Sequence, residues 1–486
     1  MSKKNQNYTN RKQNRFQPER MRGNVFVNNS GKQWLPGENG RAAKVERLLR
    51  RLEKKEIASN MAGYKDSGVE WIGAIPKGWN VSKIGYHLKW FSKKNEPDKE
   101  ILSVYRELGV VKKNERDDNH NRTPLDLTQY KYVRPGDLVI NKMKAWQGSV
   151  GVSDFEGIVS PAYFVYEFTS KMINKKYLHH LLRGCYKDEM MRLSDGIRVG
   201  QWDLSSYKFE RMPIIVPPLP EQQRIADFLD TKCDILDRTI DAVSRQIEEL
   251  EKYKKALITK TVTKGICKKG EPERAMKDSG VEWIGEVPEE WSVSKVKYNF
   301  STFKKIPGKE SEKYERLSLT MNGVKHREKW TAEGLQPKDF MSYQLLRKGD
   351  LVFRLIDLQN PSKSRRVALS HDTGLISPAY TILHADNNKM LPEYAEMFFL
   401  MMSYLDVFNA LGSCGVRSSI NNAELMKISV LVPPLAEQQQ IADYLDEKCK
   451  NINNRVQKRR QQLEWLKKYK KSLIFDYVTG KKRVEK

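Results

Sequence analysis

The sequence predicts an α+β protein made by tandem duplication, in which two domains of mixed, largely antiparallel sheet plus helices are separated by two long helices. Three observations support this prediction. Several sequence blocks occur twice in the same order, short β-like runs surround one helical stretch in each copy, and a heptad pattern follows each copy. We expect the long helices to form an antiparallel coiled coil and the two halves to be related by a pseudo-two-fold axis.

The chain is strongly basic. Its 486 residues contain 87 Lys and Arg against 61 Asp and Glu, a formal net charge of +26. This surplus favours a polyanionic partner, because each neutralised phosphate releases condensed counterions. A basic surface without such a partner is the alternative. Since no apolar run approaches the roughly 20 residues of a membrane helix, we expect no membrane partner.

Cysteine usage and the amino terminus indicate the compartment. The five cysteines form no C-x-x-C pair, and their odd number argues against a disulfide framework. No apolar segment marks the amino terminus for secretion. We therefore expect a cytoplasmic protein.

The first 60 residues differ in composition from the rest, with 15 Lys and Arg against 5 Asp and Glu. Apolar periodicity there is confined to Val45–Leu52. We predict a basic, disordered tail over residues 1–63 with one short helix. Either this tail adds non-specific affinity for DNA or it has no role.

A repeat of more than 200 residues organises the remainder. KDSGVEWIG at Lys65–Gly73 returns unchanged at Lys277–Gly285. The other pairs are RPGDLVI with RKGDLVF, VSPAY with ISPAY, GIR with GVR, VPPLPEQQRIADFLDTKC with VPPLAEQQQIADYLDEKC, and YKKALI with YKKSLI. The constant order indicates a tandem duplication. We predict a first domain over 64–215, a central helical region over 216–275, a second domain over 276–431 and a C-terminal helical region over 432–486.

Between the repeated blocks the two copies differ. Lys142–Gln147 corresponds in position to Leu355–Asn360, and the two segments have no resemblance. A retained frame with divergent segments indicates two domains that recognise different things. The alternative is drift after duplication without a change of role, although drift would also erode the frame.

Period-2 patterns predict short strands around one helix in each domain. In the first domain the helix is Tyr177–Met191, and the predicted strands are Asp137–Asn141, Ser149–Ser153, Tyr163–Phe168 and Met212–Val216. In the second domain the helix lies near Leu391–Asp406, and the predicted strands are Leu351–Phe353, Val367–Ser370, Tyr380–Leu383 and Ile428–Val432.

A long helix is predicted after each domain, from about Leu219 to Lys260 in the first copy. Glu221 and Glu437 fall in the first turn, where the helix dipole favours a carboxylate. Apolar residues then recur at spacings of four and three, as in a coiled-coil seam: Leu229, Cys233, Leu236, Ile240, Val243, Ile247, Leu250 and Leu257, and again Leu445, Cys449, Ile452, Val456, Leu463, Leu466 and Leu473. Arg459 interrupts the second seam. Antiparallel pairing of the two helices is the simplest arrangement, and folding of each helix onto its own domain is the alternative.

Polar and basic residues in loops beside the repeated blocks are the candidates for contact with DNA. Arg suits guanine O6 and N7, Asn and Gln suit adenine N6 and N7, and Lys more often contacts phosphate. The candidates in the first domain are Lys142, Lys144, Gln147, Arg198 and Gln201. Those in the second are Arg354, Gln359, Asn360, Arg365, Arg366, Arg417 and Asn421. For each one, a solvated surface position is the alternative.

Motifs for catalysis are missing from the sequence. We find no G-x-x-x-x-G-K-[ST] loop for ATP, no Asn/Asp-Pro-Pro-aromatic motif of amino-methyltransferases, no acyl-transfer motif and no metal-ligand spacing of histidines. We therefore expect a binding protein without catalytic, cofactor-binding or metal-binding residues.

From about Tyr64 to Gly480 the chain resembles the specificity subunit of type I restriction–modification systems. The resemblance depends on KDSGVEWIG with its trailing Trp, on GDLV followed by SPAY, and above all on the double PPL-x-EQ-x-x-IA-x-x-LD block. It implies two target-recognition domains that each bind one half of a split double-stranded DNA site. It also implies an antiparallel coiled coil that separates them.

The same resemblance implies the partners. Two methyltransferase subunits would methylate adenine, and two restriction subunits would translocate and cleave DNA, so S-adenosylmethionine, ATP and Mg²⁺ would belong to those partners. Two other classes stay open from the residues alone: a self-contained DNA methyltransferase or nuclease with an unrecognised site, and an architectural coiled-coil protein that binds DNA without sequence preference.

Overall fold

A computed structural model describes residues 63–484 except 70, 107, 116–122, 197–201, 267–269, 271–273, 303, 329–338, 360–364 and 413–417. The chain divides into two compact units. Unit 1 contains the residues up to Ala226 together with Phe475–Lys486, and unit 2 contains Asp227–Ile474. The tail predicted over residues 1–63 lies outside the described residues up to residue 62.

Unit 1 is a set of short strands with three helices before the long helical region. The strands are β1 (Tyr64–Asp66), β2 (Ala74–Pro76), β3 (Asn80–Lys83), β4 (Leu88–Trp90), β5 (Leu102–Tyr105), β6 (Gly109–Lys112), β7 (Lys131–Val133), β8 (Leu138–Asn141), β9 (Val150–Val152), β10 (Gly157–Val159), β11 (Tyr163–Phe168), β12 (Ser194–Asp195), β13 (Asp203–Leu204) and β14 (Pro213–Val216). The helices are α1 (Lys175–Cys185), α2 (Lys187–Leu193) and α3 (Ser206–Glu210).

Unit 2 repeats this scheme and contains most of both long helices. Its strands are β15 (Met276–Asp278), β16 (Glu286–Pro288), β17 (Ser292–Lys295), β18 (Phe300–Thr302), β19 (Arg316–Thr320), β20 (Gly323–Arg327), β21 (Gln344–Leu346), β22 (Leu351–Phe353), β23 (Val367–Leu369), β24 (Gly374–Ile376), β25 (Thr381–Ala385) and β26 (Ser429–Val432). The remaining helices are α4 (Leu219–Lys264), α5 (Val296–Asn299), α6 (Pro392–Tyr404), α7 (Val407–Leu411), α8 (Asn422–Lys427) and α9 (Leu435–Val478).

One four-stranded sheet has the same strand order in the two units, whereas a second, β20-β19-β24-β21, is four-stranded in unit 2 and corresponds to the two-stranded pairs β5-β6 and β10-β7 of unit 1. Unit 1 has a four-stranded sheet in the order β4-β11-β8-β9, and unit 2 has the equivalent order β18-β25-β22-β23. The closing strand pairs with an early strand in each unit, β14 with β3 and β26 with β17. These strand pairs are antiparallel. In unit 2, β19 also pairs with β24, and this pair is parallel. The predicted α+β fold with largely antiparallel sheet is confirmed.

The helix predicted over Tyr177–Met191 is interrupted. It is divided into α1 and α2 at Tyr186, which has φ −93° and ψ 5° and therefore leaves the α-helical region. Its side chain is fully buried and meets Trp71 edge to face, with 4.7 Å between ring centroids. Packing of this large aromatic residue thus determines where the helix breaks, which periodicity alone does not show.

The repeated GDLV blocks form the same hydrogen-bonded turn in both units. In both GDLV blocks the glycine, Gly136 or Gly349, has a positive φ near 90°, which favours glycine. The aspartate that follows is buried in each copy. Its carboxylate accepts a backbone N–H three residues earlier at 2.9 Å, from Arg134 to Asp137 in one copy and from Arg347 to Asp350 in the other. These residues therefore build a turn, which explains why the block is retained.

The two long helices pair antiparallel within unit 2. Their shared core contains Val243 and Ile247 of α4 against Ile452, Val456 and Leu466 of α9. Ion pairs flank this seam in opposite chain directions, Asp237 with Lys470 at 2.6 Å and Glu251 with Arg460 at 2.6 Å. These contacts show the predicted antiparallel seam. Helix α4 extends four residues beyond Lys260, where the sequence predicts its end. Cys233 and Cys449 are buried on the seam.

In the part of the chain that the structure describes, no helix combines the length and the apolar character that crossing a membrane requires.

The interruption of the seam gives a prediction about stability. Arg459 is exposed, between the buried Val456 and Leu466, whereas its counterpart Val243 is buried. Arg459→Leu should extend the apolar seam and raise the free energy of unfolding by about 1 kcal/mol. Thermal or urea unfolding measures this change. Gln457→Leu, at an exposed position beside the seam, is the matched control, and an equal gain from both variants would contradict the explanation.

Candidate nucleic-acid interface

The first turn of each long helix is bound to a tryptophan of its own unit. In unit 1 the indole Nε1–H of Trp79 donates to the Glu221 carboxylate at 3.0 Å. In unit 2 the indole of Trp291 donates to Glu437 at 2.8 Å. Both tryptophans are fully buried. The Trp that trails KDSGVEWIG and the Glu of the PPL-x-EQ block therefore form one repeated contact.

The glutamine that follows each of these glutamates is fully buried and connects the helix to the domain. Gln222 accepts from the Asn174 backbone N–H at 2.7 Å and donates to the carbonyls of Met172 and Pro217 at 2.9 and 2.8 Å. Its counterpart repeats all three contacts: Gln438 bonds the Leu391 N–H and the Lys389 and Pro433 carbonyls, each at 2.8 Å.

Each unit also binds the last turn of a long helix. In unit 1 the Tyr177 hydroxyl on α1 donates to the Val478 carbonyl of α9 at 3.1 Å. In unit 2 the Tyr394 hydroxyl on α6 donates to the Val262 carbonyl of α4 at 3.2 Å. Unit 1 therefore holds the start of α4 and the end of α9, and unit 2 holds the start of α9 and the end of α4. Each domain is fixed to both helices through its own side chains.

Two loops of unit 1 meet beside this frame. Hairpin loop 1, residues 142–149, connects β8 to β9, and the backbone of Leu204 donates to the carbonyl of Lys142 at 3.0 Å. Trp146 of the loop packs edge to face on Trp202, with 5.1 Å between ring centroids. The structure thus brings hairpin loop 1 against the segment that follows the GIR block.

The equivalent loops of unit 2 meet in the same way. Hairpin loop 2, residues 354–366, connects β22 to β23. The Leu358 N–H donates to the Ser418 carbonyl at 3.1 Å, and the Ile420 N–H donates to the Leu355 carbonyl at 2.9 Å. The Gln359 side-chain oxygen accepts from Ser418 at 3.5 Å. Each domain therefore places described residues of its divergent hairpin loop beside the segment that follows its GIR or GVR block.

Three candidates of the first domain lie among the described residues, and none of the three is buried. Lys142 forms an ion pair with Asp203 at 2.9 Å. Lys144 is exposed, and Gln147 is half-buried at the end of the 3-10 turn Ala145–Gln147. The role of these residues in binding DNA stays a prediction, and Lys144 is the most accessible of the three.

Several candidates of the second domain have structural partners. Arg366 is buried and donates to the carbonyls of Ile356, Asp357 and Leu358 at 3.2, 3.0 and 2.5 Å. Its burial lowers the pKa of the guanidinium, and these carbonyls offset the cost of burying the charge. Arg366 thus determines the shape of hairpin loop 2.

The remaining described candidates are placed differently. Arg354 is buried, Arg365 pairs with Glu396 at 3.3 Å, and Asn421 caps α8 by accepting from the Glu424 N–H at 2.9 Å. Contact of these residues with DNA stays a prediction. Four further candidates lie outside the described residues: Arg198, Gln201, Asn360 and Arg417.

One basic residue near hairpin loop 1 was not predicted. Lys131 is buried, with its Nζ 5.1 Å from the ring centroid of the half-exposed Trp90 and donating to the Tyr163 carbonyl at 2.6 Å. Burial lowers its pKa, as do the charges of Lys94 and Lys142. Lys131 thus places a positive charge beside an aromatic side chain. The sequence carries no signal for it, because Lys131 and Trp90 are 41 positions apart on different strands.

Among the described residues, no group of three or more His, Cys, Asp or Glu side chains is arranged to hold a metal ion. Cys449 on the seam has a pKa raised by burial, which favours the protonated thiol and a packing role.

The chain is similar to a known protein family and to two specificity subunits. A family model described as the type I restriction modification DNA specificity domain matches residues 76–252 and 379–464, more than half of the chain. The type I restriction enzyme MjaVIII specificity subunit of Methanocaldococcus jannaschii is 26% identical over 438 residues, covering 85% of this chain and 94% of the relative. The putative MjaX specificity subunit of the same organism is 25% identical, with 85% and 96% covered.

A solved structure shares the fold. A chain from work on complex assembly and conformational transition of the type I R-M system superposes with a TM-score of 0.57 at 13% identity. The match covers 83% of this chain and 98% of the solved one.

The contacts of Arg366 and Lys144 predict opposite effects. Arg366→Met removes a donor to three carbonyls and should lower the free energy of unfolding by about 2 kcal/mol. Lys144→Met should leave stability unchanged. If Lys144 contacts a phosphate, its loss should reduce the log–log salt slope of DNA binding by about 1. Thermal unfolding and fluorescence anisotropy at several salt concentrations measure both. A Lys144 variant with lowered stability, or a fully stable Arg366 variant, would contradict these assignments.

Proposed function

Since the chain belongs to the family of the type I restriction modification DNA specificity domain, we propose that it is the subunit that recognises a split, two-part DNA target for a restriction–modification complex. Unit 1 and unit 2 would each bind one half of that target. The two relatives described above are named as specificity subunits, one of them as a putative one.

One observation supports this proposal most directly: the frame is the same in both domains and the hairpin loops are not. The Trp–Glu, Gln and Tyr contacts of the first copy recur in the second, with partners at equivalent positions and at similar distances. Hairpin loop 1 has 8 residues and hairpin loop 2 has 13, with unrelated sequences. A retained frame that presents two different loops is suited to binding two different base sequences.

The net charge of +26 supports a duplex as the ligand. Contacts from Lys and Arg to phosphates position a protein on DNA, and side chains in the grooves then discriminate among bases. We propose that the paired helices α4 and α9 fix the separation between the two half-sites. Their apolar seam and flanking ion pairs stabilise the pairing of the two helices.

We further propose that catalysis belongs to partner subunits. Two methyltransferase subunits and two restriction subunits would assemble with this chain, as its family resemblance implies. S-adenosylmethionine, ATP and Mg²⁺ would bind to those partners. This division is supported by the absence of methyltransferase and ATPase motifs in the sequence.

The separate specificity of the two domains can be tested by replacing one of them. Exchanging Val81–Arg211 for the same region of a relative should change one half of the target and leave the other half and the spacer unchanged. The target is measured by selecting bound duplexes from a randomised library with the full chain. The parent chain is the control. A replacement that alters both halves would contradict two independent recognition domains.

The division of labour predicts that the purified chain does not transfer methyl groups. Incubated alone with radiolabelled S-adenosylmethionine and mixed-sequence DNA, it should incorporate no label above a no-protein control. A preparation with the methyltransferase subunits added should incorporate label at the selected target. Methyl transfer by the chain alone would show that it contains its own active site.

A further inference from the structure

Equivalent positions of the two domains carry side chains of different chemistry, an imidazole in the first domain and a carboxylate in the second. His179 on α1 follows Tyr177 by two residues, and Glu396 on α6 follows Tyr394 by two residues. Because both tyrosines bond the end of a long helix, the two helices are placed equivalently in their units. Each packs against the strand that leaves the hairpin loop: α1 against β9, and α6 against β23.

In unit 1 the helix bonds both ends of that strand. The backbone N–H of Val152, the last residue of β9, donates to Nδ1 of His179 at 3.1 Å. One turn further along α1, Nη1 of Arg183 donates to the carbonyl of Val150 at 3.3 Å. Since Nδ1 accepts a hydrogen bond, the ring is in the tautomer with its proton on Nε2.

In unit 2 a carboxylate replaces the imidazole. Glu396 pairs with Arg365 at 3.3 Å, and both side chains are largely buried, with 13% and 22% exposed. Arg365 lies two residues before β23, at the end of hairpin loop 2. Burial raises the pKa of Glu396, whereas Arg365 and the backbone N–H of Leu369, the last residue of β23, lower it. Leu369 corresponds to Val152 of the first domain.

The sheet alone does not hold these strands on both sides. In the orders β4-β11-β8-β9 and β18-β25-β22-β23, the strand that leaves each hairpin loop is the last strand of its sheet, and among the described strands it pairs with one neighbour. The position of such an edge strand, and of the loop before it, depends on what contacts it from outside the sheet. Contacts from α1 and α6 supply one such attachment, beside those of β6 with β9 and β20 with β23.

We propose that His179 and Glu396 are positioning residues that set the register of hairpin loops 1 and 2 on the DNA, each for its own half-site. This role rests on the proposed function. A loop held within about half an ångström can discriminate between bases, whereas a loose one binds without discrimination. The use of two chemistries at one position lets each loop take its own length and path.

The test uses variants that match in shape and differ in the accepting atom. His179→Asn keeps an acceptor where Nδ1 lies, and His179→Leu places a methyl group there. Glu396→Gln keeps an oxygen for Arg365, and Glu396→Met has similar length without a comparable acceptor. Glu393→Gln removes a carboxylate from an exposed position of the same helix and is the control. Each full-length variant selects duplexes from a randomised library, and anisotropy measures its discrimination against single-base changes.

His179→Leu should reduce discrimination about five- to tenfold in the first half-site only, and Glu396→Met should do so in the second only. The Asn and Gln variants and Glu393→Gln should retain the discrimination of the parent. A general loss of stability would weaken both half-sites together, so the separate loss of one half-site is specific to positioning.

Three outcomes would overturn the proposal. Leu and Met variants with unchanged discrimination remove the positioning role alone, as does loss in both half-sites from one substitution. A parent chain that enriches no sequence contradicts the proposed function and the positioning role with it. If a Leu or Met variant fails to fold, His179→Gln and Glu396→Asn, which move the amide by one methylene, take its place in the same comparison.

Discussion

Two buried glutamines fix the first turn of each long helix to its domain, and the rest of the structure depends on this attachment. Gln222 and Gln438 each satisfy one N–H and two carbonyls of the neighbouring backbone. A buried amide that lost these partners would cost about 1–3 kcal/mol for each unsatisfied group, so few geometries are allowed. With the Trp–Glu bond beside it, the attachment determines where each domain begins relative to its own helix.

The contacts that recur in both copies stabilise the frame of each domain. The residues that recur in both copies fill turns and bonds of the frame: the glycines and aspartates of GDLV, the tryptophans, and the helix glutamines. The described residues of the hairpin loops are not part of these repeated contacts, and Arg366 organises its own loop. At the described loop positions other than Arg366, sequence can therefore change with small effects on folding.

The coiled coil combines an apolar seam with opposite charges at its flanks. The seam residues supply the stabilisation, because exposed ion pairs such as Glu251 with Arg460 contribute at most about 1 kcal/mol each. The ion pairs instead favour one alignment, since sliding a helix by one turn would place Asp237 and Lys470 away from each other. Direction and register of the pairing thus follow from side chains that are recognisable in the sequence.

The sequence by itself determined the duplication, four strands in each domain, the seam positions and the family, because identical blocks and periodic apolar residues are local signals. Only the tertiary structure decided which side chains hold the hairpin loops. Arg366 is a candidate for base contact in the sequence, and its carbonyl partners in the structure come from the folding of the loop onto itself. Lys131 beside Trp90, and His179 against Val152, depend on contacts between distant segments. Such contacts leave no periodic trace, because each is set by how strands and helices pack and not by spacing along the chain.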